Sequence, residues 1–456
     1  MTNDMTQGNP FKLFIWFSIP LLIGNVFQQL YSMVDTIIVG KFLGEEALAA
    51  VGSTGSMFFL VNGFLLGLTS GFSIMVAQRF GAKDEEGVKK AIASNILLTV
   101  ILTLLVTVVM LTLKTPILKL MNTPENVFEY ANAYITVIYA GMFTQAIYNM
   151  SAGILRALGD SKTPLYFLII ASIVNIVLDL VFIINLNMGV AGAAHATNIS
   201  QGLAAIMCLI YSYKKFQLLR LKKEDFKVPV NYYQTHFRIG LPMALQFSIT
   251  ALGVITLQSA INIFGSSVMA AYTAASKVIQ LVMQPLVTYG VSTATFVGQN
   301  LGAGLYQRIR EGIRVITFIS IGTSLLASAL VVIFGHLLVG LFLENPSQEV
   351  MGYASQVLNY AAVFFVPLGL IFIYRNALQG MGKSFIPMMA GVFELVARAV
   401  VAYTLPTFMG FAGICLADPA AWLAAFIPLI IVYFIEIHKL GQQMEFNTAL
   451  SSAPLS

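Results

Sequence analysis

The chain has 456 residues, 58% of them hydrophobic and 10% charged, with a formal net charge of +5. A soluble domain carries about 25% charged residues, so this composition excludes a soluble globular protein and describes a polytopic membrane protein. The basic excess carries no nucleic-acid signal, because the positive residues lie between apolar segments.

The start, MTNDMTQGNP, lacks a basic region followed by a short apolar core and a small-residue cleavage site, so no cleaved signal is expected. Twelve apolar segments follow, near 12–39, 47–78, 88–113, 127–155, 163–186, 189–213, 236–264, 268–299, 310–341, 348–378, 385–408 and 411–438. Each has the roughly 20 residues that a membrane-spanning helix needs. Cys208 and Cys415 both fall inside such segments and read as packing residues, not as a disulfide or metal site.

Alternate loops carry the positive charge: Arg79, Lys83, Lys89 and Lys90, then Arg156 and Lys162, then Lys214 to Lys227, then Arg308, Arg310 and Arg314, then Lys383. Lys12 and Lys439 lie beside the termini on the same side, and the other loops carry only Lys41, Lys114 and Lys119. The positive-inside rule then puts both termini in the cytoplasm of a multi-pass protein of the cell (inner or plasma) membrane.

The chain repeats itself. FSIP at 17–20 returns as IGLP at 239–242, AQRFGA at 77–82 as GQNLGA at 298–303, RALGDSKTP at 156–164 as QGMGKSFIP at 379–387, and MGVAGAA at 188–194 as MGFAGIC at 409–415. All four offsets lie between 221 and 223 residues, which chance would not maintain. The expected fold is all-α, with twelve transmembrane helices in two pseudo-symmetric six-helix lobes, 1–213 and 236–456, joined by a basic cytoplasmic linker at 214–235. Six spans per half give both lobes the same orientation, related by an axis along the membrane normal, with a central cleft for cargo. Pro20 and Pro242 recur at matching positions and are the candidate hinges.

Ionisable residues inside the spans mark function by default. The first half has Asp35 in its first span, Asp179 in its fifth and His195 in its sixth, with no Lys or Arg at membrane depth. Gln28, Tyr31 and Asp35 share one helical stripe (i, i+3, i+7), as do Ser172, Asn175 and Asp179. Such stripes face each other or water, not lipid. Two carboxylates in one apolar pocket do not both stay ionised, so the pair is suited to carry a proton. It would also bind sodium at Asp35, Asp179, Asn175 and Thr197, with the last two adding neutral oxygens. The second half has Lys277, Arg375, Glu394 and Arg398. There Glu394 has candidate basic partners in Lys277 and in Arg398 one turn away, so that half settles much of its charge by pairing.

Over essentially its whole length the chain resembles the multidrug and toxic compound extrusion (MATE) family. The residues that carry the likeness are IPLLIGNVFQQLYSMVDTIIVG in the first span, GAKDEEG after the second, RALGDSKTP before the fifth, NIVLDLVFI within it and FVGQNLGA at the end of the eighth. The resemblance implies secondary antiport of bulky organic cations against a proton or sodium gradient. In the DinF-like branch an amino-terminal-lobe pocket carries the ion chemistry, and by motif position Asp35, Asn175, Asp179 and Thr197 match it, with Tyr134 as an aromatic member. The NorM-like branch has a buried Glu in the seventh span. Here PMALQFSITALG has no acid and Thr250 stands near that place, which favours the DinF-like branch.

The expected function is therefore export of organic cations in exchange for protons, alternatively sodium, by alternating access. The partners are small organic cations and the lipid bilayer, not nucleic acid, and the protein is expected to act as a monomer. The competing reading is a flippase or exporter of lipid-linked or anionic cargo, which Lys277, Arg375 and Arg398 keep open. No metal cluster, no nucleophile beside a base and no phosphate loop is present, so neither an enzyme nor a cofactor is expected.

Overall fold

The computed structural model describes residues 4–121, 123–343 and 346–452, with side chains described through residue 442. The outermost residues at each end therefore lie outside the described part, and with them the expectation about where the termini sit. Among the described residues the chain is helical and has no β-strand.

The first half comprises α1 (Pro10–Leu43), α2 (Glu45–Gly81), α3 (Glu85–Leu120), α4 (Glu125–Ala140), α5 (Met142–Ala157), α6 (Lys162–Leu180) and α7 (Gly189–Lys215). The second comprises α8 (Val230–Asn262), α9 (Ser266–Gly302), α10 (Tyr306–Gly340), α11 (Gln348–Val363), α12 (Phe365–Gly380), α13 (Phe385–Thr404), the short α14 (Pro406–Met409) and α15 (Phe411–Cys415), and α16 (Ala417–Ser452). Helices are what these runs must form, since lipid offers backbone groups no partners and only a helix satisfies them within the segment. The outward faces agree: Leu104, Leu105 and Val108 on α3 and Phe318, Leu325 and Ile333 on α10 are exposed apolar side chains, as lipid contact requires.

Two of the expected spans are broken at mid-length. The fourth is α4 plus α5, parted at Gly141, and the tenth is α11 plus α12, bent by 52° at Phe364. At each break a polar side chain from a neighbouring helix adds a hydrogen bond to a backbone carbonyl. The Asn198 amide on α7 donates to the Val137 carbonyl at 2.6 Å, and the Ser328 hydroxyl on α10 donates to the Ala362 carbonyl at 2.6 Å. A Cβ on Gly141 would sit 2.0 Å from the Asn198 amide nitrogen, so a larger residue there displaces that side chain. The fifth span widens at its end into a π-helical turn, Val181–Asn185.

The repeat shows in the turns as well. Gly44 and Gly265 precede α2 and α9 with φ of 88° and 91°, a conformation that L side chains rarely adopt. The expected basic linker holds two short 3-10 turns, Gln217–Leu219 and Lys223–Phe226, and α8 begins within it at Val230.

Contacts divide the chain into two compact units. One holds Met1–Asp4 and Ile19–Ala244, the other Met5–Ser18 and Leu245–Ser456. The division thus differs from one placed at the linker. The first part of α1 packs within the second unit, and α8 up to Ala244 packs within the first. Both crossing points lie within two residues of a proline, Pro20 in α1 and Pro242 in α8.

In the first unit α8 sits close against α2. A Cβ on Gly71 would lie 2.5 Å from the Gly240 Cα, and Phe72 meets His236 edge-on at 5.2 Å. In the second unit the segment before α1 is held by its backbone. The Met5 N–H donates to Gln299 at 2.9 Å, and the Met5 carbonyl accepts from Asn300 at 3.0 Å and from Arg308 at 3.3 Å.

Candidate ion and substrate site

The first unit brings the predicted polar stripes together. On α6, Ser172, Asn175 and Asp179 are all buried, with Asn175 at 1% exposure and Asp179 at 0%. On α1, Asp35 is 9% exposed, and Gln28 and Tyr31 are half-buried above it on the same face. The Asp35 and Asp179 side chains face each other. Tyr134 of α4 and Tyr31 both lie close enough to interact with the two acids, and Tyr31 also sits beside Gln201 and Gln28.

A small cavity opens beside them, lined by Tyr31, Ser172, Asn175, Thr197, Ser200 and Gln201. Its volume of about 10 Å³ is room for one water or one small ion. The Ser172 and Ser200 hydroxyls donate to carbonyls of their own helices, but other polar atoms in and near it are unsatisfied. Both oxygens of Asp179, one of Asp35, both side-chain polar atoms of Asn175 and the Gln201 carbonyl have no hydrogen-bond partner. Buried polar groups are normally paired, so this concentration of orphans marks a place built for something mobile. Among the described residues neither acid forms an ion pair. Two facing carboxylates cannot donate to each other, but a single proton between them supplies a donor. A sodium ion would instead take oxygens from Asp35, Asp179, Asn175 and Thr197, a hard-ligand set that suits it.

Ser200 and Gln201 are additions to the residues expected from sequence. They lie three and four residues beyond Thr197 on α7, the spacing that puts them on its face. His195 is a correction: it is exposed and does not line the cavity, because two residues along a helix is more than half a turn away from Thr197.

In the second unit a buried charge network forms. Glu394 accepts from Arg375 at 3.1 Å and from Arg398 at 3.0 Å, and Arg398 also donates to Asp418 at 2.8 Å. The Tyr272 hydroxyl donates to Asp418 at 2.9 Å. Lys277, expected as a partner of Glu394, is exposed, and the two arginines take its place. Asp418 is not among the residues expected from sequence, because it precedes Pro419 at the start of the last long helix, where an acid reads as a cap. Its signal is an acid in an apolar segment. Thr250 donates to the Gln246 carbonyl at 3.0 Å, so its hydroxyl serves its own helix. Among the described residues no group of three or more His, Cys, Asp or Glu is placed to hold a metal.

Repeated halves of membrane helices, breaks lined by polar partners and an unpaired acid pair beside a small polar cavity define the protein as a membrane transporter, not an enzyme. The MatE family profile matches residues 20–181 and 242–404, one match in each half. The chain belongs to this family, the MATE transporters. It is similar to the probable multidrug resistance protein YoeA of Bacillus subtilis (strain 168), with 30% identity over 95% of each chain. It is 24% identical to a protein of Shewanella oneidensis described as an FAD transporter, over 88% of this chain and 89% of that one. A solved outward-facing structure of a multidrug resistance MATE family transporter of the MOP superfamily superposes with a TM-score of 0.90, at 26% identity, over 96% of this chain and 99% of that one.

Proposed function

We propose that the protein exports organic cations and drugs by alternating access in exchange for protons, with the Asp35–Asp179 pair as the coupling element. One observation carries this reading: two facing acids are buried without a basic partner, and three of their four oxygens have no hydrogen-bond donor. An ionised pair attracts a cationic cargo or a proton, and the two compete for the same charge. Protonation from outside neutralises the pocket and releases the cation. The protonated form then returns to face the cytoplasm, where loss of the proton restores the negative charge. One charge moved across 100 mV supplies about 2.3 kcal/mol, enough to drive useful accumulation. Asn175 and Thr197 give the ion its neutral contacts, Tyr31 lies beside the acids, and Tyr134 supplies an aromatic wall. The multidrug resistance name of the Bacillus relative supports the same cargo class. The basic loops support a cell-membrane protein with cytoplasmic termini.

The test uses vesicles clamped at zero potential. An imposed pH gradient without sodium drives transport of a cationic dye, and a sodium gradient at matched pH does not. The reverse outcome makes the same aspartates sodium ligands.

A second reading, an exporter of anionic cargo, rests on the buried Arg375 and Arg398, each with a nitrogen lacking an acceptor, and on the flavin-nucleotide relative. Glu394 and Asp418 match the two arginines charge for charge, which leaves no surplus positive field for an anion. Flavin adenine dinucleotide uptake into inverted vesicles tests it directly.

A further inference from the structure

We infer that the second unit carries a binding site for an anionic phospholipid in the cavity between the start of α10 and the end of the described part of α16. This cavity, of about 380 Å³, is lined by Tyr306, Gln307, Arg310, Glu311, Arg314, Ile437 and Gly441. It is far larger than the cavity beside the acid pair, and nothing in the transport cycle uses it.

The charges around it are unbalanced. Arg310 and Arg314 are exposed and form no ion pair among the described residues. Next to Ile437, Glu436 binds Lys383 at 3.3 Å and Lys439 at 2.9 Å, so one carboxylate is shared by two lysines. Glu311 accepts from Gln307 at 3.2 Å and is the acid among the lining residues. Among the described residues, Arg310, Arg314, Lys383 and Lys439 thus stand against Glu311 and Glu436. The first turn of α10 adds the positive end of its dipole.

The walls continue into lipid. Arg310, Arg314 and Phe318 follow one another at i, i+4 and i+8, a single stripe on α10. Gly441, Ile437 and Phe434 make the corresponding stripe on α16. Phe318 and Phe434 are exposed apolar side chains on the outer surface of the unit. A phosphate held by the two guanidinium groups therefore sits at the head of an apolar track long enough for the first part of an acyl chain. A basic pocket between membrane helices, at the end of the spans where loop lysines and arginines collect, has the chemistry that recognises an anionic lipid headgroup. A free phosphate would use the arginines but not the track, which is why the lipid is the occupant inferred.

The test measures lipid binding to the purified full chain in detergent by native mass spectrometry, with phosphatidylglycerol against phosphatidylcholine. The expected result is saturable, selective binding of phosphatidylglycerol that weakens roughly fivefold for each arginine removed, the effect of one basic residue at an anionic surface. Arg310→Ala with Arg314→Ala should show it, while Lys223→Ala with Lys227→Ala, the same charge loss in the linker, should not. Gly441→Trp keeps every charge and fills the cavity, since among the described residues nothing lies within 4 Å of a Cβ there. It should abolish the selective binding, and it decides the matter if the double arginine variant does not fold. Retention of wild-type binding by the arginine pair or by Gly441→Trp overturns the site. Full displacement of the lipid by sn-glycerol 3-phosphate at equal concentration overturns the lipid as occupant and leaves a free-anion site.

Discussion

Arg398 joins two acids from different helices: its Nε donates to Asp418 of α16 at 2.8 Å, and its Nη2 donates to Glu394 of its own helix at 3.0 Å. With Arg375 on the other oxygen of Glu394, the network carries equal numbers of positive and negative charges. Glu394→Gln and Asp418→Asn each leave a buried arginine short of a counter-charge. Breaking such a pair costs about 3–5 kcal/mol. The loss should be smaller for Asp418, whose side chain is 23% exposed and so partly solvated. Both variants should melt at lower temperature in detergent while dye transport per folded molecule persists. Normal melting with lost transport would move the network into the coupling machinery.

The first-unit acids should behave in the opposite way. Asp35→Asn and Asp179→Asn keep nearly the same shape and remove a charge that no basic residue balances. Each should abolish gradient-driven dye efflux and leave melting unchanged or raised, because a neutral amide is less costly in a dry pocket than a carboxylate. Wild-type efflux rate from energised vesicles in either variant would remove that residue from the mechanism. Gln201→Leu tests the addition on α7. Loss of ion coupling at intact folding is expected, because its unsatisfied carbonyl oxygen faces the same cavity.

Much of the site is legible in residues. Period-3.6 stripes single out Gln28, Tyr31, Asp35, Ser172, Asn175 and Asp179, because a polar stripe along an apolar helix must face a polar partner or water. The features that sequence does not reveal have tertiary causes. Breaks at Gly141 and Phe364 depend on side chains from other helices, Asn198 and Ser328, and no run of sequence around either break records them. His195 and Lys277 stand out as intramembrane ionisable residues, but charge alone does not fix the face on which a residue lies. The placement of residues 5–18 with the second unit is a tertiary fact: apolar pattern predicts a span, not which neighbours it packs against.

The break in the fourth span gives a stability prediction. Gly141→Ala drives a methyl into the Asn198 amide, and Asn198→Ala removes the donor to the Val137 carbonyl. The second change alone should cost about 0.5–1.5 kcal/mol, the net worth of one hydrogen bond, since the Val137 carbonyl keeps the Gly141 N–H at 3.0 Å. The first should cost more, and combining them should cost less than their sum, since the clash disappears with the amide. Melting temperatures of the three variants in detergent measure this directly. Strict additivity would show that the two residues do not act on each other.

Membrane orientation is open to a clean chemical test because Cys208 and Cys415 are both buried. A cysteine at Lys223, in the exposed part of the basic linker, should react with a membrane-impermeant maleimide in inverted vesicles and not in intact cells. A cysteine at Lys119, at the other end of the spans, should show the reverse pattern. The same pattern at both sites would overturn the orientation read from the loop charges.

The clamp on Met5 yields the last prediction. Met5 is 0% exposed, and three side chains hold its backbone. These bonds tie the segment before α1 to the second unit, while the fully buried Phe14 and Phe17 and the Ser18–Ser292 hydrogen bond at 2.7 Å hold the first part of α1 there. Each bond to the Met5 backbone is worth about 1 kcal/mol net. Removing the two on the carbonyl, by Asn300→Leu together with Arg308→Ala, should raise the open fraction of this segment by roughly one to two orders of magnitude. The readout is the maleimide labelling rate of a cysteine placed at Met5, measured on purified protein with and without the two substitutions. An unchanged rate would mean that packing of the side chain, not the backbone clamp, holds the segment. A raised rate with unchanged melting of the whole protein would show that this segment opens independently of the rest of the fold.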